Sequence, residues 1–403
     1  MARLMTMKIA SRWRTARRTI AAGVVAAAAV AASVAGPGLA AEASPASPST
    51  AVLTAGQVGS RAEVPWRKVG PGWALAYYSA DQSGEGVKPK AGASRLYLVD
   101  PGGGRYSLAA FAARSAASQW QLQDWSGDTR RALFTSGGFG TRQQVHQLQL
   151  SSGRISTFSL PANVSAIGYT RPDGLNILAG KGQSYSPGTL QRYNLSGHLQ
   201  KTLARVYDIT QVASQPSGTT IAGSVRNGLE LISNSGGVIR KLPVPGVRFG
   251  CIPVRWWTAS TILASCAVSA PGPQLWLVPA SGARPSALTP ARTSPTFDAG
   301  DFDAWQLSSG LYLDGYGACG SLVIGRQPAH GPEQMVSVPG SASSLIVTAT
   351  RSSLMVERIN GCMPGISLVW FNPVTRSMKV AVPVHGHQAG VVGLVPYFVT
   401  GKF

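Results

Sequence analysis

Pro172-Asp173-Gly174 followed by Leu175-Asn176-Ile177-Leu178-Ala179 is a polar tight turn that runs directly into an apolar strand. The same phrase returns along the chain. It recurs as Gly70-Pro71-Gly72 with Trp73–Ser79, Ser126-Gly127-Asp128 with Arg131–Thr135, and Pro216-Ser217-Gly218 with Thr219–Val225. Thr258-Ala259-Ser260 with Thr261–Cys266, Ser308-Ser309-Gly310 with Leu311–Tyr316, and Arg351-Ser352 with Ser353–Ile359 complete the series. A second phrase, a strand ending in a Gly/Ser turn, keeps step with it. Leu96–Val99 runs into Asp100-Pro101-Gly102-Gly103, Gln147–Leu150 into Ser151-Ser152-Gly153, and Leu190–Leu195 into Ser196-Gly197. Leu229–Ile232, Gln274–Val278 and Ser367–Phe371 lead into similar turns, and the sixth copy, Leu322–Ile324, is followed by a longer loop through Gln327–Pro332.

Units of roughly 40 to 55 residues with four strands each are the spacing of propeller blades. A lone four-stranded sheet cannot bury both its faces, whereas radial stacking buries each against its neighbours. The chain therefore reads as all-β, a seven-bladed β-propeller of four-stranded antiparallel blades. A pair of β-sandwiches is the competing architecture, and units kept in register over more than three hundred residues weigh against it. Val225-Arg226-Asn227-Gly228-Leu229 is the sharpest local signal, because Asn-Gly between apolar runs is the preferred two-residue hairpin turn. After the seventh unit's last strand, Met378–Pro383, comes one more strand-like segment, Val391–Val395, expected to pair into the first blade and remove exposed edges.

The unit built on Arg171-Pro172-Asp173-Gly174 and on Leu96-Tyr97-Leu98-Val99-Asp100 resembles the repeats of TolB-type β-propellers, over roughly residues 64 to 385. These are turn motifs, most copies lack the Asp of the first turn, and TolB-type rings are more often six-bladed with an added N-terminal domain. The resemblance implies a propeller and leaves the family's translocation role and partners untransferred.

Composition agrees with many short strands joined by tight turns: 47 Gly, 27 Pro and only 13% charged residues in 403. Residues 1–40 read as a signal peptide. Arg12, Arg14, Arg17 and Arg18 form its basic region, Ile20 to Gly36 its uncharged apolar run, and Gly38-Leu39-Ala40 or Ala41-Glu42-Ala43 its cleavage site. A retained anchor is the alternative, although the run is short and Ala-rich for a membrane span. Arg17-Arg18 lacks the flanking residues of a twin-arginine signal, and no Cys lies near the cleavage region. Residues 41–60, rich in Ser, Pro and Ala, read as a flexible linker, and 61–403 as the propeller domain. The chain is thus expected to be secreted or extracytoplasmic, in the cell envelope, with no transmembrane anchor after cleavage.

Of 36 basic and 16 acidic residues, six basic and no acidic ones fall in 1–41, so the formal charge of +20 becomes +14 without the leader. Single Arg residues spread along the chain fit a high-GC, actinobacterial-like codon usage. They make a basic surface suited to anionic wall polymers. No basic run interleaved with aromatics marks a nucleic-acid binder.

Four Cys in an exported chain suggest two disulfides. If Thr258-Ala259 is the hairpin turn of the fifth unit, counting outward sets Cys251 opposite Cys266. Cys319 and Cys362 follow the second strands of adjacent units, so they would staple blade to blade. A zinc site is the rival, without any C-x-x-C spacing. All four fall on the face that carries the loops joining second to third strands and blade to blade. The longest loops, Ala80–Ala93, Ser136–Arg142 and Ala179–Gly188, share that face.

The densest acidic cluster, Asp298, Asp301 and Asp303, is expected on the loop entering the sixth unit, where it could hold Ca²⁺, supply paired carboxylates for glycan cleavage, or simply cap turns. His385 and His387 lie two apart without a nameable third ligand. No G-x-S-x-G, H-E-x-x-H or P-loop pattern occurs, no hydrolase domain follows the propeller, and no cofactor is implied. The two sequons, at Asn163 and Asn194, are discounted in a chain of bacterial character. The sequence thus points to a monomeric, non-enzymatic binding or scaffold protein whose partner is a protein or a cell-wall polyanion. The competing reading is an extracellular glycan-acting hydrolase or lyase.

Overall fold

The computed structural model describes residues 53–401 apart from 80–93, 113–119, 138–141, 184–185, 248–249, 269–271, 292–299, 318–320, 360–365, 385–389 and 398–400. The strands fall into seven sheets, six of them blades of four antiparallel strands in chain order. Blade two is typical: Gln121–Trp125, Arg131–Ser136, Gln144–Gln149 and Ile155–Ser159. Its outermost strand is largely exposed, and its first strand faces the ring axis.

Each blade interface holds one apolar cluster, and the second strands show why they read as near-continuous apolar runs. Ala132 and Phe134 of blade two pack toward blade one, with Tyr77 and Phe111, while Leu133 between them packs toward blade three, with Tyr169 and Ile177. Ile262 and Ala264 of blade five face blade four, and Leu263 faces blade six. A strand buried on both faces gains apolar contact from every residue, so period-2 alternation is weak in the inner strands and returns only toward the rim.

Blade one is built differently from the others. Its sheet runs, from the axis outward, Gly390–Pro396, Ala74–Ser79, Ser94–Val99, Arg105–Phe111 and Val58–Ser60. The C-terminal segment is therefore not surplus to seven full units. It fills the innermost place of the first blade, where the residues preceding Gly70 form two 3-10 turns, Arg61–Glu63 and Trp66–Lys68, instead of a strand. Ala74 pairs with Pro396 and Ser79 with Gly390, which closes the ring with residues from both ends of the chain. The additional strand lies at the other terminus: Val58–Ser60 runs parallel to Arg105–Ser107 on the outer edge. Residues 53–60, read from sequence as the end of the linker, are thus laid against blade one, with Leu53 packed on its core.

Two turns differ by one residue from the sequence reading. In blade four Val225 pairs with Gly228, so Arg226 and Asn227 are the turn and Gly228 already belongs to the strand. Glycine is required there because a Cβ would lie 2.3 Å from the Leu242 carbonyl oxygen. In blade five the turn is Ala259-Ser260, since Thr258 pairs with Thr261. Two bulges in the first strand, Cys251–Thr258, take up the offset and return Cys251 to its place opposite Cys266. The disulfide between them joins Cα atoms 4.1 Å apart.

Candidate functional site

The propeller presents two unlike faces. The turn face carries the hairpins between first and second strands. The loop face carries the connections from second to third strands and from blade to blade. The innermost strands of the seven blades, Gly390–Pro396 in blade one and the first strand in each of the others, surround the axis between them.

At the turn face two residues from beyond the closing strand touch opposite sides of the ring. Beyond Pro396, the Tyr397 amide donates to the Trp73 carbonyl at 2.7 Å, and its ring meets Trp125 edge-on at 5.6 Å between centroids. Gly401 then reaches the far side: its amide donates to the Trp256 carbonyl of blade five, and its carbonyl accepts the Gln306 amide of blade six at 3.0 Å. A Cβ at Gly401 would stand 2.4 Å from the Trp257 ring, so only glycine permits this approach.

The first strands are also inner edges of their sheets, with N–H groups turned away from any ladder partner. At two boundaries a buried carboxylate from the preceding blade accepts one of them. Asp124 of blade two accepts the Tyr169 amide of blade three at 2.6 Å and forms an ion pair with Arg171 at 2.8 Å. Asp314 of blade six accepts the Ile346 amide of blade seven at 2.9 Å. Indoles do the reverse: Trp256 donates to the Ala213 carbonyl and Trp370 to the Asp100 carbonyl, each across a blade boundary.

This arrangement accounts for Asp303 of the acidic cluster singled out in the sequence. Asp301 and Asp303 are not in the loop entering blade six; they open its first strand, Asp301–Leu307, and both are buried. Asp303 pairs with Arg255 of blade five, whose guanidinium carbon lies 3.5 Å from the Trp305 ring centroid, and its other oxygen accepts the Ala304 amide at 2.7 Å. Its carboxylate is committed to joining blades five and six. Asp298, Cys319, Cys362, His385 and His387 lie outside the described residues. Among the described residues no three His, Cys, Asp or Glu side chains come together as a metal-binding group.

A histidine that sequence reasoning passed over is built in carefully. His146, on the third strand of blade two, stacks on Trp120 with centroids 3.9 Å apart. Its Nε2 is 2.9 Å from Ser136 Oγ and its Nδ1 2.9 Å from Thr157 Oγ1. A Ser–His contact is the start of a nucleophile–base pair, but a hydroxyl at Nδ1 brings no charge to hold an imidazolium. The pair of hydroxyls and the covering indole orient the ring between blades one and two. The available signal was its place in a strand, on the opposite side from Val145 of the next interface.

Burial shifts several groups. It pushes the Tyr169 and Tyr78 hydroxyls above the usual phenol range. Glu230, buried on the third strand of blade four, is also raised by burial, partly opposed by Lys241, and its Oε1 has no hydrogen-bond partner. Asp100 is raised by burial against three backbone amides of its own turn.

Comparison with known proteins supports the fold. No protein-family model matches the sequence, and neither does any curated protein sequence. Among solved structures, the chain is similar to a prolyl endopeptidase, with a TM-score of 0.52 and 12% identity over 81% of this chain and 53% of that one. It thus spans about half the length of that enzyme. It is also similar to TolB from Acinetobacter baumannii (TM-score 0.43, 10% identity, 82% of this chain and 67% of that one). An oligogalacturonate lyase in complex with manganese gives a TM-score of 0.45 and 11% identity over 78% of this chain and 86% of that one. At 12% identity the likeness to the prolyl endopeptidase is one of fold alone, and the strand pairing makes this a seven-bladed β-propeller with four-stranded antiparallel blades.

Proposed function

We propose that the protein is an exported, monomeric, non-enzymatic binding or scaffold protein of the cell envelope or exterior, related in kind to the TolB-type propellers, and that it engages its partner with the loop face. The observation that carries this reading is the inequality of the two faces. On the turn face the chain's own Tyr397 and Gly401 touch opposite sides of the ring, and the longest connections, residues 80–93 among them, all leave from the opposite face. A rigid ring that holds its loops at fixed spacing loses little entropy on association, which favours binding. The net charge of +14 after loss of residues 1–41 suits an anionic wall polymer as the partner. The commitment of Asp303 to Arg255 removes one of the two described carboxylates that a glycan-cleaving site would use.

The test is a binding and turnover assay on the chain lacking residues 1–40, with purified anionic wall polymers and neutral glycans. Saturable binding to the anionic polymer that weakens steeply with salt, without release of new sugar ends, is the expected result. Appearance of reducing or unsaturated sugar ends would establish the enzyme reading instead.

A further inference from the structure

The segment Leu53–Ser60 lies on the outside of the ring by few holds. Val58–Ser60 pairs in parallel with Arg105–Ser107, and Thr54 bridges Gly103. The Gly56 amide donates to the Gly103 carbonyl at 3.2 Å, and the Arg105 amide to the Gln57 carbonyl at 3.1 Å. Thr54 to Val58 are all exposed. Parallel pairing is slightly the weaker kind, and a short exposed strand opens locally at far lower cost than the ring unfolds. From Arg61 onward the chain is fixed again: Ser60 and Glu63 form a capping box, and Arg61 donates to the Leu108 carbonyl at 3.3 Å.

Beneath this strap lies a carboxyl group. Asp100 is fully buried at the turn that joins Ser94–Val99 to Arg105–Phe111. Its Oδ1 accepts the Gly102 amide at 2.7 Å and the Gly104 amide at 3.0 Å. Its Oδ2 is buried and has no hydrogen-bond partner among the described residues. A Cβ on Gly104 would lie 2.8 Å from that oxygen and would run into Leu53, so the two flank one spot and Leu53 is the cover.

The strap itself brings no charge, since residues 53–60 contain no titratable side chain. The groups that face Asp100 from other elements are Lys379, on the outer strand of blade seven, and Tyr106, on the strand after the turn. Trp370 of blade seven donates to the Asp100 carbonyl, and the Arg105 guanidinium turns to the Gly56 and Ala381 carbonyls. Glu63 is exposed and accepts the Ser60 amide. A carboxylate sealed from water with one oxygen unpaired is costly when ionised. Lys379 is exposed and offsets this only in part, so burial prevails and raises the carboxyl. Lifting the strap returns the unpaired oxygen to water.

We infer that residues 53–59 are a proton-held clasp, seated on blade one while Asp100 is protonated and lifting more readily once it is ionised. The seated state binds the proton more tightly than the lifted one. The clasp is therefore firmest below the ordinary value of 3.8 and loosens as pH rises through the seated-state value. Lifting bares the outer edge of blade one at Arg105–Ser107. The inference does not depend on the loop face, so either reading can fail alone.

The experiment is hydrogen–deuterium exchange on the chain lacking residues 1–40, read on peptides covering 53–60, at about pH 4 and about pH 7, the two sides of a raised carboxyl. Asp100→Asn keeps an acceptor for Gly102 and Gly104 and is neutral throughout. Comparing it with wild type at the same pH cancels the intrinsic pH dependence of exchange. Near pH 7 its strap should exchange more slowly than wild type, about tenfold for each pH unit by which seating raises the carboxyl, and the difference should shrink toward pH 4. Peptides covering Arg131–Ser136 should not change. Leu53→Ala, which uncovers the carboxyl, should speed strap exchange by a larger factor near pH 4 than near pH 7. Faster strap exchange in Asp100→Asn at both pH values would make Asp100 a turn-former only and overturn the clasp. So would a protection that does not vary with pH, no difference near pH 7, or an equal effect of Leu53→Ala at both.

Discussion

Glu230 shows how a single buried side chain can set the acid response of the fold. Burial holds its carboxyl above the ordinary value of 4.5, so the folded chain retains that proton more tightly than the unfolded chain does. Its favourable contribution is therefore complete below pH 4.5 and is lost as pH rises through the folded value. Glu230→Gln should raise the melting temperature at pH 7, by about 2 °C for each kcal/mol of charge burial removed. The gain should disappear in acid. A variant that melts lower than wild type at pH 7 would contradict this. Residue-scale pairing was partly legible. Cys251 and Cys266 were matched by counting even though the turn was placed one residue early, because two bulges cancelled the error. The partner of Asp303 was not legible, since Arg255 lies in the preceding blade and no local pattern links them. That contact makes Asp303→Asn a poor probe of catalysis: it would leave a guanidinium without its counter-ion inside a blade boundary.

Among the elements, the closing strand and the segment beyond it have separable duties. Gly390–Pro396 supplies a ladder along the whole of Ala74–Ser79 and places Val391 in the core between blades seven and one. Tyr397 and Gly401 only touch opposite sides of the ring. Removing residues 390–403 should therefore lower the melting temperature by roughly 10 °C or more, the equivalent of several kcal/mol. Removing 397–403 should cost a small fraction of that. Equal losses in the two truncations, followed by differential scanning calorimetry, would show that these two contacts carry the closure. The seven units were legible because every second strand sits between two interfaces and so is apolar throughout. That the C-terminal segment pairs into the first blade was legible from the unit count, whereas its innermost place and the outer-edge place of Val58–Ser60 were not, because pairing between distant residues leaves no trace in local pattern. The 3-10 turns before Gly70 stand where a four-stranded unit calls for a first strand, a place that Gly390–Pro396 fills instead.

At the scale of the whole molecule, charge and address belong together. The first described contacts of the chain begin at Leu53, a short distance beyond either of the proposed cleavage sites. Export is expected to leave material starting at Ala41 or Ser44, which N-terminal sequencing of the secreted protein would read directly; an intact Met1 on mature protein would refute cleavage. The closure of blade one has a further consequence, in time rather than in space. A ribosome makes Ala74–Ser79 among the first strands and Gly390–Pro396 last, so blade one waits unfinished through the synthesis of six others. Blades two to seven each hold all four of their strands within a continuous stretch and can form in passing. The ring itself is a post-translational event, completed when the final strand arrives, and any chain stopped before residue 390 remains an open arc.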